Sequence, residues 1–130
     1  MNAAIGAASF QVEAGGGTAA LSGGAWTSFS GATTLLASVP IPVGRRINYF
    51  IAEVDRGGSS TILVDLIRRS GGTEVTLKTI SISSGSGWTS TRSSFVGADI
   101  EDGYVYEVRV TCTAASNKLG AVRFELTNAL

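Results

Sequence analysis

The chain has 130 residues, with ten acidic and ten basic side chains, no histidine and one cysteine, Cys112. That length suits one domain with a sizeable core, and a charged fraction of 15%, against about 25% in typical domains, leaves no basic field for nucleic acid. Histidine-dependent triads and metal sites are excluded, as are a disulfide and a four-cysteine cluster, and no run approaches the ~18 apolar residues of a membrane span.

The first 44 residues carry one charged side chain, Glu13. They are mostly Gly, Ala, Ser and Thr, yet include Ile5, Phe10, Val12, Leu21, Trp26, Phe29, Leu35 and Leu36. A free arm stays soluble through net charge and few apolar groups. This stretch has neither property, so it is expected to lie against its own domain or a neighbouring subunit. The opening residues have no basic region and no long apolar run, and do not read as a signal peptide. A soluble protein made in a cytoplasm is the expectation. The composition shifts near residues 31–44, which suggests an N-terminal arm or edge segment over residues 1–31 and a β-sandwich domain over residues 32–130. The competing reading keeps the first strands in the same sandwich, merely uncharged.

Strand signals then follow at nearly regular spacing. Ala32 to Val39 reads as a strand ended by Pro40 and Pro42, which cannot donate to a ladder. Arg46 to Val54 is apolar on both phases (Ile47, Tyr49 and Ile51 against Phe50, Ala52 and Val54), as expected for a central or interface strand. Thr61 to Arg69 sets Ile62, Val64 and Leu66 on one face and Asp65 on the other, with Leu63 and Ile67 blurring the pattern. Val75 to Ile82 and Thr91 to Val96 fill the gaps as further strands. Tyr104 to Cys112 alternates most cleanly, with Tyr106, Val108, Val110 and Cys112 in phase with Tyr104 as an inner face. Leu119 to Thr127 repeats it, with Val122, Phe124 and Leu126 inward and Arg123 and Glu125 outward. Gly-rich turns at 55–58, 70–73, 83–87 and 101–103 separate the strands. No segment carries a helical stripe. The fold class expected is an all-β antiparallel sandwich, jelly-roll-like.

Few residues suggest chemistry. The carboxylates are scattered over outward strand positions, whereas a glycosidase needs two facing each other across a cleft. The acidic run Asp99-Ile100-Glu101-Asp102-Gly103 lacks EF-hand spacing and reads as a turn rather than a cation site. Gly85-Ser86-Gly87 lacks the following Lys and helix of a phosphate cradle. Arg45-Arg46 and Arg68-Arg69 read as solvated residues at strand edges. No enzyme, cofactor, metal, nucleic-acid partner or membrane is implied. Trp26 and Trp88 sit among Gly and Ser in loop-like contexts, where a ring either stacks on a sugar, plugs a subunit contact or packs across the mouth of the sandwich.

The segment Val39-Pro40-Ile41-Pro42-Val43-Gly44-Arg45-Arg46-Ile47 resembles the proline-glycine lead-in to a strand in β-sandwich modules of phage and prophage structural proteins. Ser60 to Arg69, the Gly87-Trp88-Thr89 loop and Tyr104 to Val108 follow in a similar order, so the resemblance covers roughly residues 32 to 126. It implies a non-enzymatic virion protein, favoured as a phage capsid decoration or cement protein. Such a protein would form a homo-oligomer, with a trimer favoured, and contact a major capsid or other virion protein. Phe10, Val12, Trp26 and Phe29 would then be the partner interface. The alternative is a carbohydrate-binding or receptor-binding sandwich of a tail fibre, with Trp26, Tyr49 and Trp88 as the stacking platform.

Overall fold

Alternation of apolar and polar side chains builds two antiparallel sheets in the computed structural model, which describes residues 2–28, 32–58 and 60–129. The strands are β1 (Asn2–Ile5), β2 (Gln11–Val12), β3 (Ala19–Ser22), β4 (Ala25–Ser28), β5 (Thr33–Ser38) and β6 (Arg45–Asp55). They continue with β7 (Ile62–Ser70), β8 (Thr73–Ile82), β9 (Trp88–Arg92), β10 (Ala98–Asp99), β11 (Val105–Cys112) and β12 (Lys118–Asn128). A seven-stranded sheet runs β10-β6-β12-β4-β3, with β9 also on β6 and β1 also on β12. A five-stranded sheet runs β2-β5-β11-β7-β8. Together they form the expected all-β, jelly-roll-like sandwich.

The core lies between the sheets. Phe50 and Phe124, partners across β6 and β12, pack with ring centroids 6.4 Å apart. Val64, Leu66, Val108 and Val110 of the facing sheet are as fully buried. Each such side chain contributes about 1.5–3 kcal/mol by leaving water. Cys112 joins this cluster, and burial pushes its thiol up to about 11, which leaves it a core residue without reactivity at neutral pH.

One irregularity matters for function. In the β6–β12 ladder Glu125 pairs with Tyr49 and Leu126 with Ile47, so Asn48 is an extra residue, a β-bulge. The bulge reverses the phase of β6. Ile47 points inward before it and Phe50, Ala52 and Val54 after it, while Tyr49 and Ile51 face outward. The two-sided apolar pattern of this strand is therefore an inward face that changes phase halfway. In the β7–β8 ladder Leu66 pairs with Lys78 and Ile67 with Thr76, leaving Leu77 as the extra residue. Ile67 is fully buried yet stands apart from the central core cluster, on the outer phase of β7 opposite Glu107. The β7–β8 hairpin closes through Gly71 and Gly72, both at positive φ (54° and 85°), as a tight two-residue turn requires.

The N-terminal segment is not a free arm. β1 pairs β12 from Asn2–Glu125 to Ile5–Val122, β2 pairs β5, and β3 and β4 extend the seven-stranded sheet. Phe10 is 1% exposed within the core, and Val12 packs against it. Both residues, expected at a partner interface, are instead held by the sandwich, because residues 2–28 contribute edges to both sheets. The missing charge is a matter of its outward positions, which are mostly small or uncharged polar residues such as Ala, Ser, Thr, Gly and Gln. Phe29 lies outside the described residues.

Two more expectations shift. The strand anticipated at Thr91 to Val96 is β9 at Trp88–Arg92, so Trp88 begins a strand rather than sitting in a loop. Arg46 and Arg69 are not loose edge residues. Arg46 Nε lies 2.6 Å from Asp99, and Arg69 pairs with both Glu74 and Glu107. Arg109 bridges Glu13 at 3.0 Å and Glu74 at 2.6 Å, completing a ribbon of charge on the outer face of the five-stranded sheet. The hydrogen bond from Arg109 holds the Glu74 carboxyl below the usual carboxylate range, and Arg46 does the same for Asp99. A depressed native pKa stabilises the fold above the unfolded pKa, and that contribution disappears as pH falls through the native value. Thermal stability should therefore drop as pH falls below about 4. Melts from pH 7 to 2.5 check this, with Glu74→Gln expected to flatten the slope.

Candidate functional site

The outer face of the seven-stranded sheet carries two exposed aromatic rings, Trp88 and Phe95, among polar side chains. The Asn48 bulge turns Tyr49 to this face, where the Arg92 guanidinium stands 3.6 Å over its ring. Arg92 reaches it because β9 pairs with β6 in a register that sets Arg92 opposite Ile51. Arg92 Nη2 and Nε donate to Glu125 Oε2 at 2.6 and 3.0 Å, which fixes the guanidinium in plane. Glu125 is itself the cross-strand partner of Tyr49. The ring of Phe95 meets Tyr49 edge-on, with centroids 5.7 Å apart at 76°, and remains 54% exposed.

Phe95 is held over Gly97. That glycine has φ of 64°, and a Cβ there would come within 2.6 Å of the Phe95 ring. Only glycine combines this backbone conformation with this close approach. Beside the cluster, a hollow of about 260 Å³ is lined by Asn2, Ala4, Ile51, Arg123 and Glu125, among others. Trp88, 48% exposed, pairs with Asp55 further along β6 on the same phase as Arg92. Trp88 and Arg92 are four residue steps apart along the strand, roughly 13 Å. The face thus offers a ring with free surface at each end and charged hydrogen-bonding groups between and beside them. Such a surface suits a flexible, hydroxyl-rich chain: apolar C–H faces settle on rings while carboxylate and guanidinium groups meet hydroxyls.

Of the three residues expected to form a stacking platform, the structure places Tyr49 and Trp88 on this face. Tyr49 is overlaid by Arg92, so the accessible flat surface there is the guanidinium and the Phe95 ring. Trp26 does not join them. It packs against the core from β4, and its Nε1 donates to the Ala7 carbonyl at 2.7 Å. Phe95, Arg92 and Glu125 were not singled out from sequence. Phe95 has a weak signal, an aromatic among Ser, Val and Gly near the end of the strand expected at Thr91 to Val96, which stops at Arg92. The Arg92–Glu125 pair has none, since the two are 33 positions apart and meet only through the strand order β9-β6-β12.

Other expected features are ordinary structure. The acidic turn engages Asp99 with Arg46, and Asp102 accepts from the Gly103 N–H at 3.0 Å. Among the described residues no group of His, Cys, Asp and Glu is placed to hold a metal ion.

No protein-family model matches the chain, and no curated protein is similar to it in sequence. Solved structures do match along its whole length. One is the low-affinity xylan-binding module CBM86 from Roseburia intestinalis, at 18% identity and a TM-score of 0.65, covering 98% of this chain and 96% of that one. A carbohydrate-binding module of Cellvibrio mixtus lichenase 5A, solved with cellotriose, matches at 17% identity and a TM-score of 0.56, covering 98% of both chains. The C-terminal CBM6 of a Zobellia galactanivorans laminarinase gives 16% and 0.57, covering 98% of this chain and all of the other. At such identities the likeness establishes the fold alone. These structures are carbohydrate-binding modules, and none of them lends support to the resemblance to phage modules. The N-terminal segment on which the cement-protein expectation rested contributes β1 to β4 to the two sheets, as the edge reading of that segment has it.

Proposed function

We propose that the chain is a non-catalytic saccharide-binding β-sandwich that holds its ligand on the outer face of the seven-stranded sheet. The observation that carries this reading is the exposed Phe95 ring beside the Arg92–Glu125 pair, locked over Tyr49 on a face that Trp88 continues. In this arrangement Phe95 stacks on a sugar ring, Glu125 accepts from hydroxyls, and Arg92 and Arg123 donate to ring or hydroxyl oxygens. Trp88 supports a sugar further along the chain. The full-length sandwich fold shared with xylan- and cellotriose-binding modules supports the same reading. Neutral plant or algal polysaccharide fragments are the ligands to try first.

Calorimetric titration with xylo-, cello- and laminari-oligosaccharides tests the proposal. One series should bind, and Phe95→Ala or Arg92→Ala should weaken it at least tenfold, about 1.4 kcal/mol, without changing the melting temperature appreciably. Trp88→Ala should weaken long oligosaccharides more than short ones. Silence across these series and a broad glycan array, or binding indifferent to Phe95 and Arg92, sinks the reading.

A further inference from the structure

A second groove lies at the end of the sandwich, where the inward phase of β7 and β8 runs out past the core. Arg68 of β7 pairs across the strands with Tyr106 of β11 and Val75 of β8. Its guanidinium stands 4.5 Å over the exposed ring of Tyr104. Among the described residues the Arg68 side chain makes no ion pair and no hydrogen bond, in contrast to Arg46, Arg69, Arg92 and Arg109, each held by a carboxylate. Arg68 also lines two hollows at once. One, of about 310 Å³, is formed with Ser70, Thr73, Val75 and Tyr104. The other, of about 280 Å³, includes Leu77, Val96, Glu101 and Tyr106.

We propose that this groove is a second ligand site, for a saccharide that carries a carboxylate, such as a uronic acid. A guanidinium whose face rests on an aromatic ring keeps its N–H edges free, and these match a carboxylate in a two-bond fork. The charges fix the orientation. Arg68 is the single charged residue lining the first hollow, so the carboxylate sits there, beside the Ser70 and Thr73 hydroxyls. The second hollow carries Glu101 and Asp99, which repel a carboxylate and accept from hydroxyls, so the neutral part of the ligand extends that way. Tyr104 and Val75, both exposed, offer apolar surface to the sugar's C–H face. Together the hollows are about the size of a small-ligand site. From the function proposed above, the inference takes only that the ligand is a saccharide. It does not use the Phe95 face.

Titration of the full chain with trigalacturonate, its methyl-esterified trimer and acetate tests this site. Trigalacturonate should bind saturably, with the ester at least tenfold weaker because it has the same shape without the charge. Arg68→Gln should lose binding to the same extent while melting like the parent, and Arg68→Lys should recover part of it at low salt. A Phe95→Ala/Arg92→Ala variant should bind trigalacturonate as the parent does, which separates this site from the sheet face. No saturable trigalacturonate binding, equal affinity for acid and ester, or binding unchanged in Arg68→Gln overturns the proposal. Acetate binding as tightly as the trimer overturns its saccharide part.

Discussion

Phe10→Ala is expected to lower the unfolding free energy by about 3–5 kcal/mol, and a chain lacking residues 1–28 is expected to show no cooperative unfolding at all. Phe10 is among the largest fully buried side chains and belongs to the same cluster as Phe50 and Phe124. Its removal leaves a cavity that two opposed sheets cannot close by local adjustment. Against a total of about 5–15 kcal/mol for an ordinary domain, that is a large share. Truncation goes further. It strips β1 and β4 from β12 and β2 from β5, so both sheets lose edges while Ile5 and Phe10 leave the core. Urea melts followed by tryptophan fluorescence and circular dichroism measure both effects. A truncated chain that still unfolds in one sharp transition would show that residues 29–130 carry a sufficient core alone.

The contrast between that prediction and the charge pattern shows what a sequence of this kind conveys. β11 and β12 were legible almost residue by residue, because each keeps one phase inward over most of its length and Arg and Glu mark the other. β6 was legible as a strand and ambiguous as to its faces, because the Asn48 bulge exchanges the phases and a bulge leaves no mark in side-chain type. The first 28 residues were hardest. Their strands have two to four residues, too short for alternation to register, and their uncharged outward positions are Ala, Ser, Thr and Gln.

The candidate site was half legible for a related reason. Tyr49 and Trp88 stand out by residue type, but whether a ring faces solvent depends on phase, and phase depends on bulges and strand ends. Trp26 and Trp88 looked alike in Gly- and Ser-rich surroundings. The structure separates them, since β4 aims one at the core and β9 aims the other at solvent. The Arg92–Glu125 pair required the order of three strands, which is a property of the fold and not of any local segment.

Asn117→Ala is expected to cost about 3 kcal/mol or more, the largest effect foreseen for a polar side chain. Asn117 is fully buried in the turn between β11 and β12. Its Oδ1 accepts from the Thr113 and Ala114 N–H groups at 3.1 and 3.0 Å, and its Nδ2 donates to the Arg56 carbonyl at 2.8 Å. Alanine leaves these three main-chain groups without those partners, at about 1–3 kcal/mol for each that water does not reach. The side chain thereby ties the β11–β12 turn to the Asp55–Gly58 turn, next to the strand residue that pairs with Trp88. Loss of Asn117 should loosen the Trp88 end of the proposed binding face as well as the fold. Asn117→Asp separates the two halves of the interaction. It keeps the acceptor for Thr113 and Ala114 but sets a carboxylate oxygen against the Arg56 carbonyl. That variant should be strongly destabilised at pH 7 and recover in acid, relative to the parent at the same pH, once protonation restores a donor. Chemical denaturation of both variants at pH 7 and pH 4.5 measures this. Equal losses for Asp at the two values would show that the Arg56 carbonyl does not depend on this donor.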